Sequence, residues 1–230
     1  MPNDTTLQLA RLLQLASPTL PVGAYTYSQG LEWVVESGVV RDEAMAGRWI
    51  GDLLTHGIGR YEAPLVAALM KAWSIGDTRN IIRLNAEFLA TRESAELRAE
   101  TVQMGFSMRR LLDDLQDGAL YPVAETIVEL DETAFPTVWS GIAAIWNIAP
   151  EAAITAYLWS WAENQVMAAL KTVPLGQAAG QRLLAALGGD LPRIAAAAII
   201  LPEEHWSNFT PAFAIASARH ETQYSRLFRS

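Results

Sequence analysis

The chain has 230 residues, 51% of them apolar and only 18% charged, with a formal net charge of -8 and no cysteine. The acidity speaks against nucleic-acid binding, which needs a basic surface for phosphate, and the missing thiols remove disulfides, thiolate metal sites and a cysteine nucleophile. The length suits a single domain over 1–230 with an extensive buried core, some of it in a subunit interface.

Nearly every segment repeats its apolar residues with helical period. Helix 1 is expected to start at Asp4 or Thr5, whose side-chain oxygens can cap free amides, and to turn Leu9, Leu12, Leu13 and Ala16 inward until Pro18 and Pro21 stop it. A short helix from Ser28 to Glu36 ends at Gly38. Asp42 caps the next, which runs through Trp49, Ile50, Leu53 and Leu54 to Gly57 and Gly59. Pro64 sits near the start of its successor, where a missing amide costs little, and that helix ends near Gly76. Thr78 opens one further helix and Thr91 or Arg92 another, whose Leu97, Met104, Met108, Leu111 and Leu115 mark packing on other helices. Gly118, Pro122 and the polar run to Thr133 form the clearest connection. Four helices are expected near 136–148, 151–171, 175–187 and 190–200, and a last one from Ala212 into the C-terminus. The expected fold is all-α, a single-domain bundle of about ten helices.

Several chemistries are missing. There is no G-x-x-x-x-G-K-[ST] loop and no G-x-S-x-G elbow. Gly176 and Gly180, four apart, suit close helix packing better than a phosphate cradle. The longest strongly apolar run, Ile194 to Leu201, is far short of the ~20 residues that cross a membrane, and the start lacks the marks of a secretion signal. The expected setting is cytoplasmic, without membrane contact. Asp52 and His56 lie four apart and with Glu62 would make the alternative, a helical metalloenzyme; a helix-end imidazole beside Gly57 explains His56 as well. The expectation is no catalytic residue, no cofactor and no bound metal.

Four stretches stand out instead. The connection Ser17 to Glu32 is apolar and aromatic where helix connections are usually polar. It is either a turn tucked under the core or a rigid docking surface presenting Tyr25, Tyr27, Gln29 and Glu32. In the second stretch Arg92 and Glu96 are placed to pair on a helix face, either a solvated surface or a binding one, with Glu93, Arg98 and Gln103 nearby, and Gly105 implies close approach of another helix. The third is the long helix, with Leu158, Ala162, Val166 and Ala169 on one face. Tyr157, Ser160, Trp161, Asn164 and Lys171 lie on the other. Glu163, Pro174, Gly176 and Gln177 accompany this polar side, which is either buried with its hydrogen bonds satisfied or offered to another chain. The last is a basic, aromatic tail near 219–230: Arg219, His220, Glu221, Gln223, Tyr224, Arg226 and Phe228. There Arg219 and Arg226 would share a helical face, and the tail is either a frayed end whose arginines complement the helix dipole or, since Tyr, Phe and Arg are the types that anchor interfaces, a segment that orders on a partner.

At these same blocks, from Leu12-Leu13-Gln14-Leu15-Ala16-Ser17-Pro18 to Gln29-Gly30-Leu31-Glu32, Arg92 to Gly105, Tyr157 to Gln177, and Ala214 to Ser230, the chain resembles the UreF family of urease accessory proteins. The resemblance implies an all-α accessory factor with no catalysis of its own. Such proteins form homodimers, bind UreD (also called UreH) and recruit the GTPase UreG. The assembly acts on apo-urease so that nickel reaches its carbamylated lysine, and the family member is discussed as a regulator of the GTPase or a gate on activation. The resemblance places the tail against UreD, and Glu163, Asn164 and Lys171 at the UreG-facing or dimer surface. Around Trp206-Ser207-Asn208-Phe209 no family pattern is evident.

Overall fold

The computed structural model describes residues 4–230, the side chain of residue 4 excepted, so the Asp4 cap lies outside the described side chains. The described residues hold eleven α-helices and no strand. Helix α1 is Asp4–Leu15, α2 Leu31–Glu36, α3 Glu43–Leu53, α4 Glu62–Ile75, α5 Thr78–Ala90, α6 Ala95–Leu115, α7 Tyr121–Val128 and α8 Phe135–Ile145. Then come α9 Pro150–Thr172, α10 Gln177–Ile200 and α11 Pro211–His220.

Helices α4, α8 and α9 form the centre, with α10 along α9 and α4, α6 against α8, and α2 between α9 and α11. Mostly apolar sequence places them there: Leu65, Val66 and Leu69 of α4, Val138, Trp139 and Ile142 of α8, and Leu158, Ala162 and Val166 of α9 are all buried. Burying side chains of this kind contributes roughly 1.5–3 kcal/mol each.

Local signals set several ends. The Asp42 carboxylate accepts the Met45 amide at 2.8 Å as expected. Asp77 caps α5 through the Asn80 amide. Ser94, rather than Thr91 or Arg92, caps α6 through Leu97. Gly76 ends α4 with φ 67°, a left-handed angle that glycine adopts without strain.

Three expectations need correction. Helix α10 is continuous through Pro192, where the sequence predicts a break between 187 and 190. Its buried stripe, Leu183, Leu184, Leu187, Leu191, Ile194 and Ala198, packs inward along the whole length and outweighs the one lost hydrogen bond. This helix is long and apolar enough to cross a membrane, but that stripe belongs to the core. The connection after Gly118 contains α7, because Val123 and Ile127 bury one side of its roughly two turns and Pro122 sits in its first turn. On α1, Leu9 and Leu13 are exposed by 55% and 63% while Leu15 is buried; α1 touches α8 and α9 along one narrow edge.

Gly105 explains how α6 meets α8. A Cβ there would lie 2.0 Å from the Thr133 carbonyl oxygen, so the chain leading into α8 crosses α6 at backbone contact distance. Close approach was expected, though from a helix rather than from the strand of chain before one.

Candidate functional site

The polar side of α9 is the seam along which the aromatic loop is attached. Gly23, at φ 76°, starts a 3-10 turn over Ala24–Thr26. Gln29 and Gly30 follow with φ 52° and 80°. A Cβ on Gly30 would sit 2.8 Å from the Ser217 nitrogen, so only glycine lets α2 begin against α11. The Trp161 indole N–H donates to Gln29 Oε1 at 2.7 Å, Asn164 Nδ2 donates to the Tyr27 carbonyl at 3.0 Å, and Ser160 Oγ to the Ala16 carbonyl at 3.3 Å. Tyr27 is buried, whereas Tyr25 remains 64% exposed. The loop is therefore tucked under the core at Tyr27 and open to solvent at Tyr25.

Beneath the loop lies a cavity of ≈ 190 Å³, walled by Leu15, Leu20, Val22, Leu97, Met104 and Phe135 and reaching Met167 and Lys171. Its polar groups come from the loop before α2, the α5–α6 connection and helices α4, α6 and α9. Glu62 of α4 accepts from Arg92 Nη1 at 2.8 Å and from the Tyr157 hydroxyl at 3.0 Å. The Glu62 and Arg92 side chains are 9% and 8% exposed. The Arg92 guanidinium also lies 4.0 Å from the Phe88 ring centroid, a stacked cation–π contact. Burial, reinforced by the Glu62 charge, pushes the Tyr157 phenol well above its ordinary value. Glu100 is buried with its carboxylate between Gln29 Nε2 at 2.7 Å and Ser230 Oγ at 2.8 Å. Burial pushes it up to about 7.

The tail closes one side. Helix α11 ends at His220, so Arg226 is not helical and does not share a face with Arg219. Residues 221–230 fold back instead. Glu32 accepts the amides of Leu227 at 2.7 Å and Phe228 at 3.1 Å. The backbone oxygen of Ser230 accepts from Ser28 nitrogen and Oγ at 2.7 and 2.6 Å. Buried His220 spans Glu96 at 2.7 Å and Glu32 at 3.3 Å, and Arg226 Nη1 meets the other Glu96 oxygen at 2.5 Å. Buried Phe228 lies beneath Lys171, whose Nζ is 5.2 Å from the ring centroid. Gln223 reaches Glu36, while Tyr224 and Leu227 face outward.

These contacts bring together Tyr27, Gln29, Glu32, Arg92, Trp161, Asn164, Lys171, His220, Arg226 and Phe228, with Glu163 on the cavity wall. They correct one expectation and decide one alternative. Arg92 pairs with Glu62 rather than Glu96, because Ser94 caps α6 and leaves Arg92 outside the helical register. Tyr157, on the α9 face that the sequence leaves either buried or offered to another chain, is buried and donates to Glu62.

Other residues lie apart. Arg98 pairs with Glu132 and Gln103 with Ser107, on the exposed side of α6. Glu93 accepts from Asn208, in the segment without a family pattern, and Glu221 accepts the Glu96 amide. Pro174, Gly176 and Gln177 are exposed between α9 and α10, as is Arg219 on α11. Asp52 and His56 face outward, the latter in a π turn over Leu54–Ile58, whereas Glu62 faces inward; the three do not converge. Among the described residues no three His, Asp or Glu side chains are grouped to hold a metal.

Glu100 is the main residue that pattern reading passed over. Its signal was available: Glu100 and Thr101 fall between Leu97 and Met104 on the buried stripe of α6. Ser28 and Ser230 gave no such signal, since their roles depend on contacts across the whole chain.

The family model for UreF matches residues 40–188. Three similar proteins all bear the name urease accessory protein UreF. That of Dechloromonas aromatica (strain RCB) is 78% identical over 226 residues, covering 98% of this chain and 99% of its own. That of Azoarcus sp. (strain BH72) is 63% identical over 225 residues, covering 97% and 96%. The protein of Methylobacillus flagellatus is 50% identical over 224 residues, covering 96% and 97%.

Proposed function

Because the chain belongs to the UreF family of urease accessory proteins, we propose that it is a non-catalytic scaffold of urease maturation. In this reading it works in the cytoplasm as a homodimer, binds UreD (UreH) and recruits the GTPase UreG. The assembly then acts on apo-urease to deliver nickel, which is cargo and not a resident cofactor. Regulation of UreG turnover belongs to the same proposal.

The observation that carries this reading is the joining of all four sequence blocks in one place: the loop before Glu32, the Arg92–Gly105 segment, α9 and the tail. Their inward groups hold the site rigid, and rigid placement lowers the cost of ordering an interface. Outward they leave Tyr25, Tyr224 and Arg226, of the types that serve as anchors, together with the apolar Leu227 and Lys171. The tail surface is assigned to UreD. Glu163, Asn164, Lys171 and the Pro174–Gln177 turn are assigned to UreG or to the second copy.

Co-expression with UreD and UreG, followed by sizing of the complex, tests the proposal. A chain that stays alone in the presence of both partners overturns it.

A further inference from the structure

Glu100 is a buried carboxylate whose direct donors, the Gln29 amide and the Ser230 hydroxyl, are both neutral groups. The charged and titratable groups around it are Glu62, Arg92, Tyr27, Tyr157, Glu163 and Lys171, with Arg229 beyond Tyr27 and hydrogen-bonded to its hydroxyl. None supplies it with a counter-ion. Arg92 is held by Glu62 at 2.8 Å, and Lys171 lies over Phe228. Glu163 adds a third carboxylate to the wall, raised by burial and with no hydrogen bond or ion pair among the described residues. Both tyrosines are pushed above their ordinary value and stay neutral near pH 7.

The space beside these carboxylates is ≈ 190 Å³, with Leu20, Val22, Leu97 and Met104 on its walls. An engineered apolar cavity of about 150 Å³ already admits benzene. An anionic head would meet three carboxylates, an arginine already paired with Glu62, and one exposed amine, Lys171, so the wall carries more negative groups than free cations. A neutral head would leave the buried charge of Glu100 without compensation, which is costly away from water. Each Glu100 oxygen still has acceptor capacity beyond its one neutral donor.

We propose that this cavity binds a protonated primary amine on a short apolar stem, its ammonium group bonded to Glu100 and its stem against the apolar wall. A stem of about four to six carbons suits the volume. Free alkylamines and the lysine side chain of a partner protein share this chemistry. The site is independent of which urease partner the tail engages.

Calorimetric titration of the purified full chain with n-hexylamine, hexan-1-ol, hexanoate and Nα-acetyl-lysine amide, at pH 6 and pH 8, tests it. Hexylamine is expected to bind, and to bind more tightly at pH 8, where Glu100 is ionised. Hexanol and hexanoate are expected to bind about ten- to hundredfold more weakly, the range of a charge-assisted hydrogen bond. Glu100→Gln removes a buried charge and keeps the hydrogen-bonding shape, so it should fold and lose hexylamine affinity by a similar factor. Competition by the lysine derivative identifies a lysine side chain as the source; binding of hexylamine alone identifies a free amine. No hexylamine binding at millimolar concentration, equal binding of hexanol, or unchanged affinity in Glu100→Gln overturns the proposal.

Discussion

Glu32 accepts the backbone N–H of Phe228 at 3.1 Å, joining positions 196 residues apart. The same carboxylate takes the Leu227 amide and faces His220, so one side chain from α2 orders the turn of the tail. Glu32→Ala leaves the part-buried Leu227 amide and the buried Phe228 amide without this acceptor, and a buried orphaned group costs about 1–3 kcal/mol. Hydrogen exchange is expected to show lost protection at Leu227 and Phe228, with the α4–α8 core unchanged. Protection retained at both amides would contradict the assignment.

Glu100 makes stability depend on pH. Its folded value, about 7, lies above the ordinary glutamate range, so between that range and about 7 the folded state holds more protons than the unfolded. Stability therefore falls as pH rises through this window and levels off above it. Glu100→Gln should remove this fall and raise stability at pH 8 by up to about 3 kcal/mol, while changing little near pH 4. Urea denaturation of both proteins across pH 4 to 8 measures the difference.

Breaking the pair beneath the cavity should be costly. Arg92→Ala leaves Glu62 buried with only the Tyr157 hydroxyl, and removes the stack on Phe88. The expected loss is about 3–5 kcal/mol. Joint replacement by Glu62→Gln and Arg92→Met should recover much of it, as thermal melts of single and double variants would show.

At Gly105 two effects compete. Alanine gains about 1 kcal/mol in helix propensity. Its Cβ, however, would press on the Thr133 carbonyl from 2.0 Å, and backbone cannot swing aside as a side chain does. Overpacking of this kind costs typically 1–3 kcal/mol or more, so Gly105→Ala is expected to destabilise. Chemical denaturation reads the sign directly.

Deleting Gln223–Ser230 would remove the Glu32 and Glu100 contacts together with any docking surface, which makes surface variants the cleaner test. Tyr224→Ala and Leu227→Asp change exposed side chains and should leave the melting temperature within about 2 °C. Their co-purification with UreD should fall at least about tenfold if these residues are hot spots. Lys171→Ala removes only a cation–π contact of about 0.5–1 kcal/mol, so a large loss of urease activation without a thermal defect would assign it to a partner.

What could be read from the sequence follows the range of the interactions. Asp42 and Gly76 act within a turn of their own helix, and both ends were legible. The inward face of α9 was legible because its period is local. The continuity of α10 was not, since it depends on a stripe from Leu183 to Ala198 finding helices brought from elsewhere. Arg92 was misread because Glu96 is its neighbour in sequence, while Glu62 is its neighbour in space. The polar side of α9 was recognised as unusual, but only the fold shows that Gln29 and the Tyr27 carbonyl satisfy it.

The hydrogen bond from Ser28 to Ser230 also sets a schedule. Its two residues are 202 positions apart, so on a ribosome adding about 5–20 residues per second the loop waits some ~10–40 s for the segment that closes it. Through that interval Ser28 and, once made, Glu32 and Glu100 lack their tail partners. The nascent chain thus presents an open version of the site first and the clasped version only once synthesis has passed Ser230.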